Sequence, residues 1–374
     1  MRVPDLRSLQ SALILRLSSI GDVVHALPVA SALKRAHPHL RLTWIVEEMS
    51  APLVMHSPCL EEVLVIPRQR WKRGRLRSPG VWAEYLHFLR DVRSRRFDLC
   101  LDLQGYAKSG LLALASGAPY RYGWHRLRDV ARLVSHPVPP RAQPAHRVEQ
   151  FLDVVRMLGV DAEPVEFPLG IPAEARARAQ ALLRQAQLAE GAPFAVVNPA
   201  AGSPTKRWPT ERFAEVIAAL ARRAGMRSVL VGIARDAHVT QAVSALAARM
   251  LPQDSLCPAD LTGQTDLLAL AALLERCAVH ICGDTGSAHI AAALHVPVVS
   301  IYGPTRPELH GPWGQLKYAV RPDTPCPSGC SERRCVRLAA TQSLDEPSAH
   351  CLREISSDRV IEAALAACEE SARV

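Results

Sequence analysis

Three short segments carry residues whose types and spacing suit chemistry on an anion. Ser18-Ser19-Ile20-Gly21-Asp22 follows the apolar run 12–17. Its small residues let a backbone approach a ligand closely, and an aspartate at the start of a helix is also an ordinary N-cap. In 198–209, Gly202, Ser203 and Thr205 precede Lys206 and Arg207. Backbone donors and the Lys206 ammonium can hold a phosphate together there, although a solvated loop has the same composition. The Gly-Lys-Ser/Thr order of a Walker A loop is absent. In Gly283-Asp284-Thr285-Gly286-Ser287-Ala288-His289, a helix start makes an anion cradle from Thr285 and Gly286, with His289 one turn in on the same side. A capped helix start with a packed histidine reads equally well. Aspartic proteases also use Asp-Thr-Gly, but in hairpins and twice; here a helix follows. Neither half contains Gly-x-Gly-x-x-Gly, which argues against a standard dinucleotide enzyme.

The formal charge of +9 is mild for 374 residues, but its placement is uneven. Between Arg68 and Arg96, ten lysines and arginines face only Glu84 and Asp91. Arg68, Arg70, Lys72, Arg73, Arg75 and Arg77 surround Trp71 with no acidic residue among them. Such a run reads as a solvated loop or as a site for a polyanion: nucleic acid, an acidic membrane surface, or a phosphorylated or carboxylated substrate. Guanidinium forks suit phosphate and carboxylate bidentately. No helix-turn-helix, zinc-finger or RRM signature accompanies the run, so nucleic acid is not the expected partner. Cys326, Cys330, Cys335 and Cys351 lie in a Pro- and Gly-rich stretch that could hold zinc, yet they lack paired CxxC knuckles. Surface thiols are the plainer reading, and Cys100, Cys277 and Cys282 sit in apolar runs as core filling.

The elements that must position these residues follow from patterning. Hydrophobic residues make up 48% and charged residues 22%, which excludes wholesale disorder. The longest apolar stretches fall far short of the ~20 residues that span a bilayer. Near the N-terminus, Arg16 interrupts the apolar run too soon for a signal peptide. A soluble, cytoplasmic protein with mostly reduced cysteines is expected. Short apolar runs alternate with helix-length segments, the signature of parallel α/β units. Strands are predicted at 12–17, 42–46, 63–66, 98–103, 194–198, 228–231, 279–282 and 298–302. After the first strand, a helix body starts near Pro28, and the basic loop leads into a helix over 81–95. Further helices are predicted at 107–115, 149–158, 173–188, 210–224, 236–249, 265–276, 287–294 and 356–368. Prolines and glycines concentrate over 159–172. The predicted organisation is therefore an N-terminal domain over 1–160, a linker over 161–172 and a C-terminal domain over 173–350, closed by a helical segment over 351–374.

Four ordered motifs together resemble one family. They are Arg16-Leu17-Ser18-Ser19-Ile20-Gly21-Asp22-Val23-Val24-His25; Asp102-Leu103-Gln104-Gly105 with Lys108-Ser109; Lys206-Arg207-Trp208-Pro209; and Asp284-Thr285-Gly286-Ser287-Ala288-His289 through Tyr302-Gly303-Pro304-Thr305. Over about residues 12–315 the chain is similar to the lipopolysaccharide heptosyltransferases, glycosyltransferase family 9. Trp44 to Glu48 and Arg70-Trp71-Lys72-Arg73 look more like the heptosyltransferase I branch than II.

The resemblance implies an α/β GT-B fold: two Rossmann-like doubly wound domains facing a cleft, and a C-terminal helix crossing back toward the N-terminal domain. It implies an acceptor in the N-terminal domain and a nucleotide sugar in the C-terminal one. The implied reaction moves a heptose from ADP-heptose to Kdo of lipid A with inversion, at the cytoplasmic face of the inner membrane. By the same likeness, Asp22 is the general base and Lys206 neutralises the departing diphosphate, aided by Thr285 and Gly286. Asp284 and His289 would fix the nucleotide or diphosphate, and Asp236 would meet the ribose. Ser203 and Thr205 would replace hydroxyls missing from Ala200-Ala201-Gly202. Ser19, Gly21, Arg70, Arg73, Gln104, Lys108 and Arg128 would bind the acceptor. No Asp-x-Asp sits at a strand end, so no metal cofactor is expected. A nucleotide-sugar epimerase and a non-catalytic binder of anionic lipid are the alternatives. Asp22 beside a basic acceptor surface argues against the first, and Asp22 with Lys206 against the second.

Overall fold

The computed structural model describes residues 3–73, 78–143, 145–251, 256–324, 330, 335 and 350–371. The chain divides into two compact units, Met1–Gly170 and Ile171–Val374. In the first, the strands are β1 (Ser11–Leu15), β2 (Arg41–Glu47), β3 (Glu62–Ile66), β4 (Leu99–Asp102), β5 (Tyr120–Trp124) and β6 (His136–Val138). Its helices are α1 (Ile20–Ala36), α2 (Pro52–Met55), α3 (Arg68–Arg73), α4 (Pro79–Ser94), α5 (Ala107–Ser116), α6 (Asp129–Val134) and α7 (Arg147–Met157). The strands of the second unit are β7 (Phe194–Asn198), β8 (Arg227–Leu230), β9 (Ala259–Asp260), β10 (Val279–Gly283), β11 (Val298–Ile301) and β12 (Ala319–Val320). Its helices are α8 (Ala173–Gln185), α9 (Thr210–Ala224), α10 (Ala237–Met250), α11 (Leu267–Leu274), α12 (Gly286–Ala293), α13 (Pro307–His310), α14 (His350–Glu354) and α15 (Ser357–Ser371).

Each unit is one parallel sheet with the same winding. The orders are β3-β2-β1-β4-β5-β6 and β12-β11-β10-β7-β8-β9. Read from its own first strand, the second repeats the first, and both match the doubly wound order that places ligands where strand order reverses. The switch points lie between β1 and β4, with Leu15 opposite Asp102, and between β7 and β10, with Cys282 opposite Asn198. The central strands explain the pattern. Every residue of β1 and of β10 is buried, so these strands read as continuous apolar runs covered on both faces.

Two local expectations change. α1 starts at Ile20, and Pro28 lies inside it rather than at its first turn. All eleven residues from Val23 to Leu33 are buried, so packing around the whole helix outweighs the lost backbone hydrogen bond. The basic stretch opens as helix α3 instead of a loop, while Arg75 and Arg77 lie outside the described residues, as does the Arg73 side chain. The described part of the closing segment, α14 and α15, adds to the core of the second unit. Leu352, Val360, Ile361, Ala364 and Ala367 enter one core with Phe213, Ile217 and Val299. Cys351 belongs to this core and Cys335 packs against it; Cys326 lies outside the described residues.

Helices α5 and α6 touch through Gly110. A Cβ at that position would lie 2.4 Å from Ala131 N and 2.7 Å from its Cα. Gly110→Ala should therefore separate α6 from the helix that follows β4, lowering stability by about 1–3 kcal/mol in urea melts. An unchanged midpoint would show that the two helices part at no cost.

Candidate functional site

At the first switch point, a buried arginine organises the loop after β1. Arg16 Nη1 donates to Leu103 O at 2.7 Å, and Nη2 lies 2.6 Å from Asp22 Oδ2. Its guanidinium stands 5.3 Å from the centre of the Phe151 ring. Trp44 fixes the same residue from the other side, its indole donating to Arg16 O at 3.0 Å. Burial pulls the Arg16 pKa down and the nearby Asp22 carboxylate pushes it back up. An arginine that stays charged in such a place needs this carboxylate. Asp22 is not the N-cap: Ser19 occupies that position, and Ser19 Oγ donates to Asp22 Oδ2 at 3.1 Å. The carboxylate sits one turn further in, half-buried and committed to Arg16. A second guanidinium lies within its field. Arg147, first residue of α7, is buried over the Trp124 ring at 4.4 Å. Burial lowers its pKa to about 10, while the field of Asp22 raises it.

The loop after β4 completes this end of the sheet. Gln104 Oε1 accepts from Leu17 N at 3.0 Å and Ser18 N at 3.3 Å, tying the two switch-point loops together. Gly105 takes φ +79°, and a Cβ there would meet the Trp124 indole nitrogen at 2.7 Å, so glycine is required. Asp102 is buried beneath the loop and accepts from Gln104 N at 3.0 Å, Gly105 N at 2.8 Å and Ser109 Oγ at 2.9 Å. Arg128 donates its backbone N–H to Gly105 O at 2.9 Å and leaves its side chain exposed.

Beside this loop, a cavity of about 410 Å³ is lined mainly by Leu17, Ile66, Trp71, Trp82, Tyr85 and Leu111. Lys72 and Lys108 stand in its wall, as does Arg68, which is paired with Glu47 at 2.7 Å. Arg70 pairs with Glu84 of α4. The structure thus gathers Ser19, Gly21, Asp22 and Gln104 at the switch point and sets Lys108 in the wall of the neighbouring cavity, while Arg70 does not line that cavity and is turned to solvent beside Glu84.

The second switch point repeats the plan with different chemistry. Trp208 is buried against Phe213, with ring centroids 4.9 Å apart, and donates to Ile355 O at 3.1 Å. This pins the loop after β7 and places Lys206 Nζ 2.7 Å from Asp284 Oδ2, at the end of β10. A Cβ on Gly283 would reach Lys206 O at 3.0 Å, so the two loops run in contact. Ser203 and Thr205 share a hydrogen bond at 2.9 Å. Thr285 is the N-cap residue of α12, with Gly286 its first residue and His289 buried one turn in. Behind them runs a buried polar chain. His280 Nδ1 lies 3.0 Å from Val196 O and must donate to it, so Nε2 accepts from Ser287 Oγ at 2.9 Å. Ser287 in turn meets Thr285 Oγ1 at 2.8 Å and Asn198 Nδ2 at 3.3 Å. Burial lowers the His280 pKa to about 4, which keeps the ring neutral and the direction of this chain fixed. Asp236 lies one strand away, after β8, and accepts from Ile233 N at 3.3 Å.

The sequence reading missed Arg147, His280 and the Ser287 network. Arg147 shares a helix face with Phe151 and Val154, so its apolar phase was the available signal; His280 lies in an otherwise apolar strand.

Residues 85–339 match the family model for glycosyltransferase family 9 (heptosyltransferase). The chain belongs to glycosyltransferase family 9. Among relatives, it is 30% identical over 331 residues to lipopolysaccharide heptosyltransferase 1 of Pseudomonas aeruginosa, covering 86% of each chain. Among solved structures, a family 9 glycosyltransferase from Veillonella parvula aligns with a TM-score of 0.78 at 23% identity, over 98% of this chain and 99% of that one. Escherichia coli heptosyltransferase WaaC, solved with ADP-2-deoxy-2-fluoro heptose, aligns with a TM-score of 0.66 at 27% identity, over 83% of this chain and 93% of that one. The family 9 assignment covers Gln104, Lys108, Lys206 and Asp284 within the matched residues, and the pairwise likeness to the type 1 enzyme agrees with the branch that Trp44 to Glu48 suggested.

Burial raises the Asp102 carboxyl to about 6, against the pull of its three hydrogen-bond donors and Arg16. The folded value lies above the unfolded value of ~3.9, so the folded chain holds this proton more tightly. The resulting stabilisation is complete below about pH 4 and is lost as pH rises toward 6. Relative to Asp102→Asn, the wild type should lose up to about 3 kcal/mol in urea melts between those limits. A constant difference would show that the carboxyl stays ionised throughout.

Proposed function

We propose that this chain is an inverting heptosyltransferase of the type 1 branch, moving a heptose from ADP-heptose to Kdo of lipid A. The observation that carries the reading is the Asp22 carboxylate, held by Arg16 and Ser19 at the switch point of the first sheet, beside a cavity with cations in its wall. In this reading, the first unit takes the acceptor and the second takes the nucleotide sugar. Asp22 accepts the proton of the acceptor hydroxyl as that oxygen attacks the anomeric carbon. The bond from the anomeric carbon to the diphosphate breaks, and ADP leaves with the electron pair. Lys206 exchanges Asp284 for the departing diphosphate, and the backbone at the start of α12 supplies further donors. Asp284 and His289 hold the nucleotide end, with Ser203 and Thr205 alongside and Asp236 toward the ribose. Arg70, Arg73, Lys108 and Arg128 take carboxylates and phosphates of the acceptor, and Gly21 and Gln104 shape its approach. Because the acceptor is a lipid, the chain works at the cytoplasmic face of the inner membrane.

Asp22→Asn tests the central role. Asn leaves Arg16 with a neutral partner, so stability should fall by about 1.5–3 kcal/mol. Turnover should fall by roughly 10²–10⁴, because Asn takes no proton from the acceptor. ADP affinity should be kept. A melt, an ADP titration and a turnover assay on one preparation decide it; near-normal turnover in a folded, ADP-binding variant removes Asp22 from the mechanism. In the same assay, ADP release must require both ADP-heptose and Kdo-lipid A, which an epimerase or a passive binder does not produce.

We also propose that the reaction needs no divalent metal, since Lys206 and the α12 amides supply the positive charge at the leaving group. Turnover should persist in excess EDTA. Loss of activity that magnesium or manganese restores contradicts this.

A further inference from the structure

We infer that the first unit docks on an anionic bilayer through the face shared by α4 and α5. This rests on the reading that the acceptor is membrane-borne, and it names the surface. The two helices pack against each other, and each turns apolar side chains to solvent. Trp82 and Leu86 on α4 are each 48% exposed, and Leu111 and Leu114 on α5 are 41% and 53% exposed. The spacings, four residues apart on α4 and three on α5, set each pair on one side of its helix. Trp82 and Leu111 line the same cavity, so the two rows are neighbours. Such a grouping of large exposed apolar residues marks an interaction surface.

Its surroundings select the partner. Exposed Arg90 continues the α4 row, exposed Lys108 begins the α5 row, and exposed Lys72 stands in the cavity wall. Three carboxylates of this neighbourhood are paired within the unit, Glu84 with Arg70, Asp91 with Arg95 and Glu47 with Arg68, and Glu48 accepts from Gln69 N. The face therefore presents positive charge around an apolar centre. Trp82 and Trp71 both stack edge-on against Tyr85, with centroids 6.1 and 5.4 Å away, which gives the centre the amphipathic aromatics that settle at headgroup depth. Among the described residues no helix is long and apolar enough to cross a membrane. An apolar stripe with cations at its border, lying in the plane of the leaflet, needs none.

The test is sedimentation of the whole chain with phosphatidylcholine vesicles, with and without phosphatidylglycerol, at low and high salt. The wild type should bind the anionic vesicles, less so in high salt. The double variant Leu86→Ser/Leu114→Ser should bind them at least about tenfold more weakly. Its melting curve and its turnover on a deacylated, water-soluble acceptor should be unchanged. A wild type that ignores every vesicle overturns the membrane reading and this surface together. Equal binding by the variant overturns the surface alone. Loss of turnover on the soluble acceptor assigns these leucines to the acceptor and not to the bilayer. A wild-type oligomer that the double variant dissolves, without vesicle binding, makes the face a protein interface; either result refutes the proposal.

Discussion

A parallel sheet wound outward from its middle strands in both directions leaves one place uncovered. At the switch point, the loops after two adjacent strands depart to opposite faces, and no crossover helix closes the gap. This constraint governs both units. Their strand orders are the same, so each presents one pair of loops, after β1 and β4 or after β7 and β10. The residues able to do chemistry concentrate in those pairs because there the backbone ends of the strands, the small residues and the helix starts all face a common space. The family's reaction needs two substrates, and two copies of one physical solution are present.

Holding such loops requires contacts that neither strand nor helix supplies. Each unit uses a buried tryptophan as an anchor. Trp44 donates to Arg16 O and Trp208 to Ile355 O, so a large apolar body fixes each loop while one polar atom sets its register. The glycines follow from the same closeness. A Cβ on Gly105 would strike Trp124, and one on Gly283 would press on Lys206 O at 3.0 Å, so a larger residue at either place would disturb its loop.

The architecture was legible because its signals are redundant. Apolar strands recur between helix-length segments, and their fully buried patterns survive errors of a residue or two at either end. The places of Asp22, Lys206 and Asp284 at the two switch points were legible because each follows a central strand in a segment marked by glycine and small residues. Pro28 misled because a local rule about helix starts is outweighed by burial on every side of α1, which no short window contains. Arg147 and His280 were hidden for a related reason. Each occupies an apolar phase of its element, and only the fold shows that one stands over Trp124 within the field of Asp22 while the other orders Ser287 and Thr285.

The two switch points differ in their cations, and the difference suits the roles proposed for them. Arg16 is buried, with its donors divided between Leu103 O and Asp22. A planar guanidinium that keeps its charge under desolvation suits a fixed bracket, since its partners need never change. Lys206 is a compact ammonium on a flexible stem, held by Asp284 at the mouth of α12. For it to turn toward a departing diphosphate, Asp284 must be left with other donors. Gly286 and Ser287, the first residues of α12, can offer theirs, because the first amides of a helix have no partner within it. Thr285 and Ser287 are held in place there by neutral His280, whose only orientation compatible with Val196 O makes it the acceptor for Ser287. A charged His280 could not accept that bond, so desolvating this histidine keeps the second switch point ordered. The fixed pair thus sits where the proposed reaction takes a proton, and the exchangeable pair where it would release the leaving group.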